Sequence, residues 1–264
     1  MATWSINPEN QGATIDNNGV FTAEANLAFV TRSWEITYTD DKGNSVSKIV
    51  TQDRRKEIDG HECVEINGVK WATMNIGANS VTDYGLYFQW GDTQGYTAEQ
   101  VGSGSGQKAF KWTDYKYGNG TSSPDATGMT KYNSTDGKTA LDASDDAVQV
   151  AWGGRWRMPT TAEYAALGEA VNTAWTADYQ GSGVSGLVLT DKTDSSNVLF
   201  FPAAGHCVNG SVYNVGSLGI YWSSSIYSSN VQNGYSLYSS SSSVDWQHYN
   251  RRYLGFAVRG VVGE

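Results

Sequence analysis

Three histidines (His61, His206 and His248) and two cysteines (Cys63 and Cys207) are the residues of this 264-residue chain best suited to nucleophilic or metal chemistry. Their spacing assembles neither. There is no HExxH, GxSxG or Walker loop, and neither cysteine has the CxxC spacing of a zinc or redox site. His206-Cys207 is the nearest thing to a base beside a nucleophile, yet adjacent residues on a strand point to opposite faces. The acidic pairs Asp40-Asp41 and Asp145-Asp146 read as turn and helix-start residues, because a hard-cation cage needs about six or more converging oxygens. The expectation is a protein without catalytic activity, metal or other cofactor. The cysteines form either one bridge or two separate buried thiols.

The chemistry the chain does offer is recognition. From Asn233 to Tyr253 it reads NGYSLYSSSSSVDWQHYNRRY. Five consecutive serines suggest a spacer, but apolar residues persist at regular places. Tyr235 and Leu237 alternate, Val244 and Trp246 alternate, and the serine run between them reads as a turn. Leu254, Phe256 and Val258 then alternate with Gly255, Ala257 and Arg259. That pattern predicts a β-hairpin, because a linker has no need of it. Its exposed positions are Tyr, Ser, Asn, His, Asp and Arg. Tyrosine gives broad amphipathic contact at low entropy cost, and small polar residues adapt their hydrogen bonds.

The rest of the chain must hold this segment in place. Hydrophobic residues make up 39% of the sequence and charged residues 17%, which argues against global disorder. With 10 Trp and 16 Tyr and few Leu or Ile, aromatic rings must supply much of the core. Thirty glycines against 4 prolines indicate many turns. A net charge of −9 and the lack of any basic stripe beyond Arg54-Arg55-Lys56 and Arg251-Arg252 oppose nucleic-acid binding. No apolar run approaches a membrane span, and the start, Met1-Ala2-Thr3-Trp4, shows no signal core. A soluble chain without membrane insertion is expected.

Residues 1–55 read as a small all-β module. Alternating runs are broken by Asn-Pro, Gln-Gly and Asn-Asn-Gly, followed by a hairpin in which Trp34, Ile36 and Tyr38 lead through Asp41-Lys42-Gly43-Asn44 to Val46–Val50. The polar run from Asp53 to Glu57 makes a boundary. In residues 56–264, strands come first, then a long loop region at 92–140 carrying Trp112, Tyr115 and Tyr117. Two helices follow, Ala143–Trp152 and one beginning at Thr160 or Thr161. Glu163 completes a capping box with Thr160, and Tyr164, Leu167 and Val171 share a face. Six further β segments run to the end. Strands, two helices, then strands predict an α+β class with an antiparallel sheet.

Three pieces carry a more specific likeness: VKWATMNIGANSVTDYGLYFQWGDT (69–93), WGGRWRMPTTAEYAAL (152–167) and GIYWSSS with NGYSLY and GFAVRGV (219–261). Together they resemble the C-type lectin fold variable proteins of diversity-generating retroelements, of a Bacteroidetes or gut phage type, related to the formylglycine-generating-enzyme fold. TWSI, ATIDNNGVFTA and WEITYT resemble the later strands of bacterial immunoglobulin-like domains, in trimmed form. The resemblance implies that the two ends of the larger domain pair in one sheet, that two helices flank it, and that a long loop region carries the ligand surface. In WRMPT, Arg155 and Arg157 would pair with carboxylates and Trp156 would fill core. The cysteines and histidines that such enzymes keep near the chain end are missing, and so are the Glu-Pro-Asn, Gln-Pro-Asp and Trp-Asn-Asp signatures of calcium-dependent sugar binding.

The resemblance also implies that adenines in Asn-type codons are rewritten near the C-terminus, giving Tyr, Ser, Asp, His or Arg but not Lys, Glu, Met, Gln or Trp. From Ser225 to Tyr253 only Gln232, Trp246 and Gln247 are of a type that such codons cannot give. Any Ser/Tyr-rich segment would also look so. The resulting expectation is a receptor-recognition or adhesion protein at a cell surface or on a phage virion. Its variable segment, about 221–253, binds a protein or glycan on a host or neighbouring cell. Contact residues would be Tyr227, Ser228, Ser229, Tyr235, Tyr238, Asp245, Trp246, His248, Tyr249, Asn250 and Arg251. Trp222, Leu237, Val244, Phe256 and Val258 would be scaffold, and Trp246 reads equally as core. The alternative is a structural subunit or fixed adhesin of a bacterial fibre or pilus.

Overall fold

A computed structural model describes residues 2–9, 12–24, 26, 31–53, 57–122 and 128–262. The chain divides into two compact units, Met1–Glu57 and Ile58–Glu264. Arg54, Arg55 and Lys56, most of the polar run read as a boundary, lie outside the described residues.

The first unit holds β1 (Thr3–Asn7), β2 (Ala13–Ile15), β3 (Phe21–Ala23), β4 (Arg32–Thr39) and β5 (Ser45–Gln52). β1, β4 and β5 form an antiparallel sheet in that order, and β2 and β3 form a separate hairpin. Five strands are fewer than the seven or so of a full immunoglobulin sandwich. The core is small: Trp34 is buried and meets Phe21 edge-on at 5.5 Å. The β4–β5 turn is set by Asp40, whose carboxylate accepts from the backbone N–H groups of Lys42 and Asn44 at 2.9 and 2.8 Å. β5 is an edge strand on which Val46 and Ile49 are 67% and 68% exposed.

β6 (Glu57–Ile58) straddles the boundary, and the second unit continues with β7 (His61–Ile66) and β8 (Val69–Asn75). After the long loop region come α1 (Ala147–Trp152), β9 (Trp156–Arg157) and α2 (Thr161–Ala170). β10 (Val171–Thr176), β11 (Gly186–Asp191) and β12 (Val198–Pro202) form an antiparallel sheet. β13 (His206–Val208) and β14 (Ser211–Tyr213) form a small hairpin. β15 (Leu218–Ile226), β16 (Asn233–Ser240) and β17 (Val244–Arg251) make a third sheet, and β18 (Arg259–Val262) closes the chain. β18 lies between β8 and β9 in a five-stranded sheet, so early and late parts of this unit meet.

The expected α+β class, with its lectin-type sheet and two-helix plan, is corrected by this architecture. Strands take 43% of the residues and helices 12%, and the strands are spread over several small antiparallel sheets. The class leans to all-β. Both helices are short for local reasons. α1 starts four residues later than the sequence suggested, because the carboxylate of Asp146 caps it by accepting from Val148 and Gln149 N–H. α2 has the expected capping box of Thr160 and Glu163, with Arg157 bound to Glu163 at 2.6 Å. It stops at Ala170, and Val171 buries its side chain from the first position of β10 instead. The last expected strand is also shorter. Residues 255–262 are all buried, so alternation there does not mark a solvent face, and only Arg259–Val262 pairs as a strand.

Rings do fill the core. Trp71, Trp90, Trp156, Trp222, Tyr87 and Tyr221 are at most 2% exposed. The indole N–H groups of Trp90 and Trp222 donate to the carbonyls of Ser223 and Phe88 at 2.9 Å each, which removes the cost of burying them unpaired. Cys63 and Cys207 are separate buried thiols, and burial pushes the Cys207 thiol up.

The long loop region is held the same way: Trp112, Tyr115 and Tyr117 are buried, and Tyr115 donates to the Trp90 carbonyl at 2.9 Å. Its polar anchor is Asp145, which accepts from Tyr132 Oη at 2.6 Å and pairs with Lys116 at 3.2 Å and with Lys131. Burial works to raise the Asp145 pKa, but the bonds from Lys131, Tyr117, Tyr132 and Lys116 outweigh it and hold the carboxyl well below its ordinary value of 3.8. A depressed carboxyl stabilises the fold above its unfolded pKa, and that contribution disappears as pH falls through the folded pKa. Asp145→Asn is therefore expected to cost about 1–3 kcal/mol at neutral pH. It should also flatten the loss of stability between about pH 5 and 2. Urea midpoints measured across that range check both effects, and parallel pH curves for the two proteins would refute the assignment.

Candidate ligand-binding face

The serine-tyrosine segment is a hairpin. β16 ends at Ser240, β17 begins at Val244, and Ser240 N–H bonds the Ser243 carbonyl at 2.9 Å to close the turn. Burial alternates strictly along β17, with Asp245, Gln247, Tyr249 and Arg251 exposed and Val244, Trp246, His248 and Asn250 half-buried. Ser236 pairs with His248 and Tyr238 with Asp245, so Leu237 faces both Trp246 and Gln247 across a β-bulge. The bulge brings Asp245 Oδ2 to 3.1 Å from His248 Nδ1.

Five rings form a continuous row. Tyr227 and Tyr249 stack at 4.0 Å with planes 5° apart, and Tyr235 meets Tyr227 edge-on at 5.3 Å. His248 lies 6.0 Å from Tyr249 and 5.2 Å from Tyr238. Tyr249 is 47% exposed, and the other four rings are half-buried. Ser228 and Ser229 sit in the exposed turn after Tyr227, where they line an open cleft of about 380 Å³ with Ser134, Val231 and Gln232. The Asn250 amide donates to Ser236 Oγ at 3.2 Å, and Arg251 donates to the side chain of Gln232.

Four of the five expected scaffold residues lie inside the fold. Trp222, Leu237, Phe256 and Val258 are buried, while Val244 is half-buried. Trp246 departs from the group. Its indole lies against α2 at Gly168, where an added Cβ would come within 2.6 Å of the ring. The structure thus brings Tyr227, Tyr235, Tyr238, Asp245, His248 and Tyr249 together, with Ser228, Ser229, Asn250 and Arg251 at the margins and Trp246 elsewhere. Sequence reasoning passed over Gln232, which pairs with Arg251 across the turn. It also passed over Trp175, whose strand begins at Val171, within the last two residues of the helix expected from the sequence.

The row has the makings of a binding surface. Tyrosines on a paired strand lose little entropy on contact, and the only charges among them are Asp245, Arg251 and, when protonated, His248. Among the described residues there is no group of three or more His, Cys, Asp or Glu placed to hold a metal ion. None of the described helices is long and apolar enough to cross a membrane. No known protein family matches the chain, and neither does any curated protein or solved structure.

Proposed function

We propose that this chain is a recognition or adhesion protein whose β16–β17 hairpin, with the turn after Tyr227, binds a protein or glycan on a host or neighbouring cell. The observation that carries the reading is the row of five rings, four on the β16–β17 hairpin and Tyr227 just after β15, on a sheet that also holds buried Leu237 and Trp222. An aromatic row with adaptable hydroxyls at its margin spends little entropy on binding and tolerates exchange of its exposed residues. We further propose that those residues are rewritten by a retroelement. Comparing the gene across isolates tests this, since a uniform 227–251 stretch with changes elsewhere would sink the diversification. Placement at a cell surface or on a virion belongs to the same reading.

The test of binding is a panel of bacterial cells probed with labelled protein. The double variant Tyr227→Ala, Tyr249→Ala is expected to lose about tenfold or more of its binding to any cell that wild type recognises. The single variant Tyr249→Ala, at an exposed residue, should keep the wild-type melting temperature and still bind more weakly than wild type. Equal binding by both proteins would reject the face. Spontaneous polymers in sedimentation would instead favour a fibre subunit, a reading supported by the exposed β5 edge.

A further inference from the structure

A second cleft lies away from the ring row, between β10 and the serine turn. Thr173, Ala174 and Trp175 of β10 form one side, Leu187 and Val244 the floor, and Ser240–Ser243 and Trp246 the other side. Its volume is about 420 Å³, within the size range of small-molecule sites. From this geometry we propose that the cleft binds a neutral carbohydrate without the help of a metal ion.

The argument starts from β10. Val171, Thr173 and Trp175 alternate onto one face of the strand. Val171 is buried, and Leu189 and Leu187, paired opposite Thr173 and Trp175, are buried too. This row starts on the core side of the sheet at Val171, yet Thr173 is exposed and the Trp175 indole is only half-buried, so the row is left uncovered beyond Val171. Trp246, held by Gly168, presents the second indole. Two half-buried indoles beside an open cleft leave apolar area in water that a flat apolar ligand surface would cover. The C–H face of a pyranose ring supplies such a surface, slightly positive against the negative face of an indole.

The rim supplies the polar half of the match. Ser242 and Ser243 N–H donate to Ser240 Oγ at 3.3 and 3.2 Å, and the Ser240 hydroxyl shares hydrogen bonds with those of Ser242 and Ser243 at 3.2 Å each. The turn is thus set before any ligand arrives. Each hydroxyl both donates and accepts, as sugar hydroxyls do. None of the lining residues is charged. That removes the pairing an anionic sugar, a phosphate or a charged peptide would need, and leaves neutral polyols as the complementary class.

The test titrates the full chain, in EDTA, with cellohexaose, maltohexaose, xylohexaose and mannohexaose up to about 10 mM, read by tryptophan fluorescence and calorimetry. At least one is expected to bind saturably. Trp175→Ala should weaken that binding at least about tenfold while the chain still unfolds cooperatively above the temperature of the titration. Ser242→Lys should weaken it by filling the rim, and Tyr249→Ala should leave it intact. That last variant separates this cleft from the ring row, so either reading can fail alone. No binding by any of the four sugars would overturn the proposal, as would binding indifferent to Trp175→Ala. So would competition by an uncharged strand-forming peptide that Thr173→Pro abolishes, since the cleft would then be a peptide groove along β10.

Discussion

Replacing Arg259 by methionine is expected to lower the unfolding free energy by about 3–5 kcal/mol, the largest single effect in the second unit. The guanidinium is fully buried and has no carboxylate partner in its hydrogen bonds. Its charge is held by dipoles: Nε donates to Asn75 Oδ1, Nη1 to the Ala72 carbonyl and Nη2 to the Phe200 carbonyl, each at 2.9 Å. The group also lies 4.4 Å from the centre of the Phe201 ring. These acceptors belong to β8 and β12, so one side chain ties the central sheet to another. Methionine would fill much of the volume but take from three acceptors the donor that Arg259 supplies, each loss costing about 1–3 kcal/mol. Relief of the guanidinium's own desolvation, which pulls its pKa down, offsets part of that sum. Arg259→Lys should fall between the two, keeping the charge but losing the fork. Urea unfolding followed by tryptophan fluorescence measures all three, and a loss under about 1 kcal/mol for methionine would contradict this account.

Arg259 shows how unevenly this molecule was legible. In the sequence it reads as the polar partner of a strand alternating with Phe256 and Val258, and so as exposed. Alternation predicts a solvent face only when one face of a strand is solvated. Here the final segment is covered on both sides, which local pattern cannot reveal. Signals that depend on a few neighbours transferred well. The Thr160–Glu163 capping box, the turn after Asp40 and the hairpin around the serine run all formed where their chemistry put them. Competing local signals misled. Val171-Asn172 continues a helical face, yet Val171 serves β10, and with that strand the sequence reading lost Trp175. The α+β expectation failed similarly, because two recognisable helices outweighed many short strands whose individual signals are weak.

The candidate face was legible as an alphabet but not as a geometry. Tyr227 and Tyr249 are far apart in sequence, and nothing in their spacing announces that their rings stack. The bulge that places two residues opposite Leu237 is equally silent, and it accompanies the departure of Trp246 from the row. A segment read by composition alone treats every polar position as equivalent. Backbone pairing then sorts them: alternate residues of β17 turn outward, while their neighbours support the hairpin or the cleft.

That sorting is sharpest at two adjacent arginines, and it yields the second large prediction. Arg251→Ser is expected to change stability by no more than about 0.5 kcal/mol, whereas Arg252→Ser should cost about 3 kcal/mol. Arg251 is exposed and touches Gln232. Arg252 is fully buried: Nη1 donates to the Tyr132 carbonyl at 2.9 Å, and Nη2 to the Lys131 carbonyl at 3.3 Å and to Met129 Sδ at 2.7 Å. Its guanidinium also lies 5.1 Å from the ring centre of Trp90 and 5.3 Å from that of Tyr115. Serine would leave a cavity between these rings and strip two carbonyls of their donor. Because those carbonyls lie in the long loop region, Arg252→Ser should also raise hydrogen exchange at residues 128–132, and Arg251→Ser should not. A rewritten binding segment could therefore vary at position 251 but would have to keep arginine at 252, although the two codons are neighbours. Equal stability of the two serine variants would mean that Arg252 does not anchor the loop, and the boundary drawn here between contact and scaffold residues would have to move.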